Sequence, residues 1–319
     1  MHYLITGGAG FIGSYFADAL LAQDDDVTVL DNFSTGRMNN LKHLDGQVQL
    51  VHGSVLDALL VDELVAEAEV VIHLAAAVGV RLIVERPLRS FVTNIRGSET
   101  IFEAAHRYRR KVLLTSTSEI YGKRSTGAFH EDDDRVLGSP KVSRWAYSTA
   151  KAVDEILAFA YSRERGLPMV IARLFNTVGP RQTGAYGMVI PRLVSQALRG
   201  EPLSVYGDGL QTRCFCHVTD VVRALILLLS QPDAEGDVFN VGSTEEVSVL
   251  ELAQRIVEMT GSRSPIELVP YTDAYEKGFE DMRRRVPDIS KIGSLVGWKP
   301  ELSLESILAD IIEYEKSSN

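Results

Sequence analysis

The 319-residue sequence predicts a doubly wound, parallel α/β sheet, and three observations carry that expectation. A glycine-rich turn, 7–13, lies between an apolar strand and an apolar helix. A second strand follows within one βαβ unit and ends in Asp31. Beyond it, short apolar runs keep alternating with helical patterns, the rhythm of a sheet covered by helices on both faces. The runs near 2–6, 27–31, 48–52, 70–74, 111–117 and 168–173 read as strands, and 12–22, 58–66, 89–108 and 146–164 as helices. After Phe175 the rhythm breaks into Gly- and Pro-rich sequence around one helix, 189–198. A helix over 218–230 and a strand over 238–241 then return to the first sheet. The tail reads as a helix over 249–260, an extended piece over 266–269, a charged loop over 271–285 and a closing helix over 304–314. Two units are expected. One spans 1–175 plus 216–242, and a smaller, discontinuous C-terminal unit spans 176–215 plus 243–319.

Composition narrows the function classes. With 45% hydrophobic residues the chain can bury a large core, and its net charge of −10 argues against a nucleic-acid surface. Any anionic substrate must therefore be held by a local cluster of arginines. Cys214 and Cys216 stand too close for an ordinary disulfide and are too few for a metal cage, even with His217 beside them. They read as packing residues of a reduced, cytoplasmic protein without a metal, and His217 and His73 read as structural. The first strand starts at residue 2, leaving no room for a signal peptide, and no apolar run approaches a membrane span.

The glycine turn carries the first chemistry. Gly7 permits the tight turn, Gly10 lets backbone approach a phosphate, and Gly13 allows close packing of helix on strand. The helix N-terminus supplies unpaired N–H donors and positive potential to a pyrophosphate. A lone triplet is a weak signal, but the strand before it, the helix after it and the acid 18 residues beyond Gly13 are its confirming context. Asp31 accepts from ribose hydroxyls and repels a 2′-phosphate, so NAD is expected over NADP on a Rossmann-type unit. The second chemistry is Tyr147 and Lys151, four residues apart on one helix face. Lowering a phenol from pKa 10 by roughly 3 units takes about 4 kcal/mol, which an ammonium and a cationic nicotinamide can supply. Thr117, Ser118 and Glu119 run off a strand end, where ligands collect, with two hydroxyls to hold a sugar and one acid or base.

The chain resembles the extended short-chain dehydrogenase/reductases that act on nucleotide sugars, over essentially its whole length. The resemblance rests on Gly-Gly-Ala-Gly-Phe-Ile-Gly (7–13), Asp-Asn-Phe-Ser-Thr-Gly (31–36), His-Leu-Ala-Ala (73–76), Asn94 with Gly97, and Tyr147/Lys151. It continues through Arg-Leu-Phe-Asn-Thr-Val-Gly-Pro-Arg (173–181), Val-Tyr-Gly-Asp-Gly-Leu-Gln-Thr-Arg (205–213) and Arg-Arg-Val-Pro-Asp-Ile-Ser-Lys (284–291). It implies that Phe11, Ile12, Asn32, Ser34, Thr35, Gly36, Leu74, Ala75, Ala76 and Asn94 join the glycines, Asp31, Tyr147 and Lys151 around NAD. It also implies that Asn176, Arg213 and either Arg283 or Arg285 hold a nucleotide diphosphate, with Tyr206 near the nucleoside. The physics agrees, because a pyrophosphate in an acidic protein needs charge-assisted donors at close range. Two departures stand out. The family's Gly-Asp is Gly53-Ser54 here, so Ser54 or the Val55 backbone is expected to take the adenine contact, and the family's Arg-Asp-Phe is Arg213-Cys214-Phe215.

The resemblance further implies that Tyr147 takes the proton of a sugar 4-hydroxyl while carbon 4 is oxidised. Dehydratases carry Thr-Asp-Glu where this chain has Thr117-Ser118-Glu119, so dehydration lacks its acid. Thr117-Ser118-Glu119 with Arg285 before Val-Pro-Asp resembles UDP-glucuronic acid decarboxylases. Val189-Ile190-Pro191-Arg192 and the Arg81-Leu82-Ile83-Val84-Glu85 loop resemble 4-epimerases of uronic acids. A guanidinium at Arg192 forked onto the sugar carboxylate would hold a 4-keto uronate against loss of carbon dioxide. On that argument the sequence reading places an NAD-dependent UDP-glucuronic acid 4-epimerase first, the decarboxylase second and a neutral UDP-hexose 4-epimerase third. A non-catalytic NAD-binding protein has no need of Tyr147 and Lys151. The resemblance implies that the 90–108 and 147–163 helices pair across a two-fold in a homodimer, while the residues alone fit intrachain core equally well.

Overall fold

A computed structural model describes residues 1–78, 87–124, 126–142, 145–184, 188–271 and 282–318. Seven strands form one parallel sheet: β1 (His2–Thr6), β2 (Asp26–Asp31), β3 (Gln49–His52), β4 (Val70–His73), β5 (Lys111–Thr117), β6 (Met169–Leu174) and β7 (Asp237–Val241). Their order is β7-β6-β5-β4-β1-β2-β3, so the winding reverses between β1 and β4. In such sheets ligands bind outside the carboxyl edge at this reversal.

Alternate residues of each strand feed two apolar layers, the period-2 consequence of the pleat. Ile5, Val29, Ile72, Leu113 and Val170 pack under α1 (Phe11–Leu21) and a later helix, Val218–Ser230. Leu4, Leu30, Val71, Leu114 and Ile171 pack under α2 (Ala58–Glu67), α3 (Pro87–Tyr108) and α4 (Ala146–Arg165). Burying each such side chain contributes roughly 1.5–3 kcal/mol, which holds the strand ends that form the sheet edge in place. Local signals set the helix ends. The Asp57 carboxylate caps α2 through the Leu60 N–H at 3.2 Å. Gly166 closes α4 at φ +64°, a conformation that strains any residue with a Cβ.

A third cluster gathers α5 (Val189–Leu198), α7 (Val249–Thr260) and α9 (Leu304–Ser318), with α6 being Val218–Ser230 and α8 Ser290–Val296. Here the structure adds what the sequence reading lacked. The segment read as Gly- and Pro-rich connections contains the short strands Thr177–Val178, Leu203–Tyr206, Thr212–Cys214 and Cys216–His217, and the tail adds Glu246–Ser248, Arg284–Arg285 and α8. Strands of two to four residues show no periodicity, and their pairing is dictated by tertiary packing. Thr212–Cys214 pairs antiparallel with Glu246–Ser248 and parallel with Arg284–Arg285. Cys214 and Cys216 are free and buried. Among the described residues no helix is long and apolar enough to cross a membrane.

Candidate active site

A cleft of about 510 Å³ opens along the carboxyl edge of the sheet, within the size range of roughly 300–1,000 Å³ usual for ligand sites. One end is built on the glycine turn. Gly7 adopts φ +73°, and a Cβ there would lie 2.9 Å from the Ala75 backbone. A Cβ on Gly13 would lie 2.5 Å from the Gly7 carbonyl. Both positions therefore exclude larger residues. No side chain caps the N-terminus of α1, so its first-turn N–H groups face the cleft without intrahelical partners. This is the arrangement a pyrophosphate fits.

Asp31 ends β2 inside the cleft and accepts from the Ala9 N–H at 3.0 Å and the Phe33 N–H at 2.7 Å. Burial pushes its carboxyl above the ordinary range, and these two N–H bonds pull it back. A carboxylate has about four lone-pair sites, so two remain for ribose hydroxyls. Gly36 does not line the cleft but lets its loop pass behind the acid, since a Cβ there would meet Asp31 Oδ2 at 2.8 Å. Phe11, Ile12, Asn32, Ser34, Thr35, Val55, Leu74, Ala75 and Ala76 all line the same end. Two more residues expected there do not. Ser54 turns its hydroxyl to the Leu56 N–H at 3.2 Å in a local turn, leaving Val55 and Gly53 on the wall. Asn94 lies beneath, where its amide accepts from the Ala77 N–H at 2.7 Å and donates to the Ala77 carbonyl at 3.3 Å, so it fixes the wall without forming it.

The centre of the cleft holds Thr117, Ser118, Glu119 and Tyr147. Thr117 ends β5 and caps the following 3₁₀ turn by accepting from the Glu119 N–H at 3.2 Å, which aims the acid across the opening. Tyr147 projects from the first turn of α4 and is 8% exposed. Lys151 is not on the cleft wall. Its ammonium donates to Asp154 Oδ2 at 2.8 Å, and both side chains are buried. The sequence reading missed Asp154. Its signal was a carboxylate three residues after the lysine on the same helical face. Beneath them His73 of β4 shares hydrogen bonds with Thr6 Oγ1 (2.8 Å) and Ser98 Oγ (3.2 Å), and burial together with the Lys151 charge pushes it down to about 3. It is a neutral structural imidazole at working pH.

The far end carries three arginines. Arg213 and Arg285 are register partners on adjacent parallel strands, and both line the cleft. Arg285 donates to Asn176 Oδ1 at 2.5 Å and to Glu119 Oε1 at 3.4 Å, and Asn176 donates in turn to the Cys214 carbonyl at 2.7 Å. Arg283 points elsewhere, paired with Asp208 at 2.7 Å on an exposed surface. Arg192 lines the wall, but its guanidinium lies over the Tyr206 ring at 4.1 Å and donates to Ser204 Oγ at 3.1 Å. Tyr206 lines the same wall, and Arg89, Gln182, Gln211 and Tyr271 join the lining without having been foreseen. Gln211 belongs to the 205–213 motif, whereas Arg89, Gln182 and Tyr271 sit in none of the quoted motifs and reach the cleft through tertiary packing. The Arg81–Glu85 loop and most of 271–285 lie outside the described residues.

Residues 4–311 match the family model described as GDP-mannose 4,6 dehydratase. The UDP-N-acetyl-alpha-D-glucosaminuronate decarboxylase of Bacillus cytotoxicus is 42% identical over 98% of this chain and 96% of its own. UDP-glucuronic acid decarboxylase 1 of Danio rerio is 36% identical, covering 98% of this chain and 72% of that protein. The UDP-glucuronic acid 4-epimerase of Bacillus cereus, solved with UDP-glucuronic acid and NAD, superposes with a TM-score of 0.90 at 29% identity over 100% of both chains.

Proposed function

The chain belongs to the GDP-mannose 4,6 dehydratase family of extended short-chain dehydrogenase/reductases, and from that premise we propose that it is an NAD-dependent decarboxylase of a UDP-linked hexuronic acid. NAD is the cofactor that suits the glycine turn and Asp31, and it is bound by the Bacillus cereus neighbour. When bound, it supplies the oxidation of sugar carbon 4 and the later reduction of the same carbon.

The residues of the chain do the rest. The Tyr147 phenolate takes the proton of the 4-hydroxyl as carbon 4 is oxidised, giving a 4-keto uronate. This is a β-keto acid. Its C5–C6 bond breaks to release carbon dioxide, and the electron pair passes to an enolate on carbons 4 and 5, where the protonated Tyr147 stabilises the oxygen. The proton that returns to carbon 5 comes from solvent, and Glu119, on the cleft wall and capped in place through Thr117, is the side chain assigned to relay it. Tyr147 then returns its proton to the 4-oxygen as carbon 4 is reduced. Arg213, Arg285 and Asn176 are assigned to the diphosphate.

The posture of Arg192 carries this reading over epimerisation. A 4-epimerase of a uronic acid must keep the carboxylate of its keto intermediate from aligning for loss, the task expected of a forked Arg192. With that guanidinium stacked on Tyr206 and bonded to Ser204, Arg192 is engaged away from the carboxylate plane. The two decarboxylase relatives support the same order. The second reading, UDP-glucuronic acid 4-epimerase, is favoured by the Bacillus cereus neighbour. Incubation with UDP-glucuronate and, separately, its 2-acetamido analogue, followed by proton NMR, distinguishes the two. A UDP-pentose with stoichiometric carbon dioxide supports the proposal, and a 4-epimer retaining its carboxylate overturns it.

A further inference from the structure

The buried acid beside Lys151 has no part in the reaction as described so far. We infer that Asp154 is a positioning residue for the acid–base pair, the counter-ion that holds the Lys151 ammonium in place and keeps Tyr147 less acidic than the lysine alone would make it. The inference rests on Tyr147 being the acid–base group.

Geometry carries it. Lys151 Nζ lies 2.8 Å from Asp154 Oδ2, with the two side chains 3% and 0% exposed. Asp154 Oδ1 is buried without a hydrogen-bond partner among the described residues. A carboxylate left half satisfied inside a helix–sheet interface costs stability unless the lysine needs it. Replacing both members by apolar residues would be nearly neutral or stabilising for folding, so the pair is better explained by the charge it sets than by the stability it adds. Lys151 lies one helical turn after Tyr147, and Asp154 follows three residues later on the same face. An isolated ammonium at that place would pull a phenol down strongly, and an ammonium shared with a carboxylate pulls less.

Neighbouring ionisable groups either stay neutral or have partners of their own. His73 from β4 feels the Lys151 charge but stays neutral above about 3. Glu155 is bound to Arg173 of β6 at 2.8 Å. Glu119 is paired with Arg285 of the opposite wall.

The test is an ultraviolet titration of the Tyr147 phenol in the NAD-loaded protein, with Tyr147→Phe as the blank. Asp154→Asn is expected to lower the phenol midpoint by about one pH unit or more, the size of shift that one nearby charge produces. Asp154→Glu is expected to restore the wild-type midpoint. A midpoint unchanged in Asp154→Asn overturns the inference. Should that variant fail to fold, Lys151→Met and the double variant Lys151→Met/Asp154→Asn give the same reading. The single variant leaves Asp154 uncompensated and is expected to titrate about one unit above the double variant, and equal midpoints overturn the inference. The titration reads no product, so its failure stays separate from failure of the decarboxylase reading, which NMR decides.

Discussion

Arg213 and Arg285 face each other as register partners on neighbouring parallel strands, with both side chains on the cleft wall. Like charges directly opposite one another weaken a strand pair, so this placement makes sense when an anion sits against both. We expect Arg213→Ala and Arg285→Ala each to weaken binding of UDP by about 2 kcal/mol, roughly 30-fold in affinity, and lysine replacements to recover only part of it because they lack the planar fork. Isothermal titration with UDP measures this, and unchanged affinity in both alanine variants refutes the assignment.

Tyr147→Phe removes only the hydroxyl of a buried ring. Turnover is expected to fall by roughly 10²–10⁴, the usual contribution of an acid–base group. The affinities for NAD and UDP should stay within a few-fold of wild type. Near-normal turnover would move the role of base to Glu119.

Arg192→Ala separates a wall residue from a carboxylate clamp. With the guanidinium committed to Tyr206 and Ser204, its loss is expected to raise KM for the UDP-uronate several-fold and to leave the ratio of carbon dioxide to sugar product unchanged. A variant that newly releases carbon dioxide, made from a wild-type enzyme that retains it, would establish the clamp and with it the epimerase.

The buried His73 gives the fold a pH dependence of definite sign. Its ordinary value of 6.5 is pushed down to about 3 in the native state. Between those limits the unfolded chain binds a proton that the folded chain refuses. Its contribution is therefore complete above 6.5 and is lost as pH falls toward 3. The slope is at most about 1.4 kcal/mol per pH unit. Urea denaturation at pH 7, 6 and 5 is expected to show a steeper loss for wild type than for His73→Gln. Parallel curves would contradict the assignment.

The glycine turn, the parallel strands and the Tyr147/Lys151 helix were legible because each is local: a turn chemistry, a period or a four-residue spacing. Most residues implied by the motifs do line the cleft, since a motif fixes backbone position and the backbone at the sheet edge fixes what faces the ligand. What the sequence left out is the partner that each side chain takes. Ser54 satisfies a neighbouring N–H, and Arg283 finds an exposed acid one strand end away from the cleft. Arg192 finds an aromatic ring, and Lys151 finds Asp154. In all four the backbone position agrees with expectation and the side chain answers to a partner. The partners of Arg283 and Arg192 come from segments more than ten residues away, whereas Leu56 and Asp154 stand within three residues of Ser54 and Lys151.

Both thiols of the chain lie in the strand that carries Arg213 or just beyond it, and burial pushes the Cys214 thiol up to about 12 and Cys216 higher still. Neither is a nucleophile while that wall is closed, because the thiolate is the reacting form. The molecule thus carries an internal clock. The rate at which a thiol reagent labels it at neutral pH counts the openings of the wall that carries Arg213, and a ligand gripped by Arg213 should slow that count in proportion to its affinity.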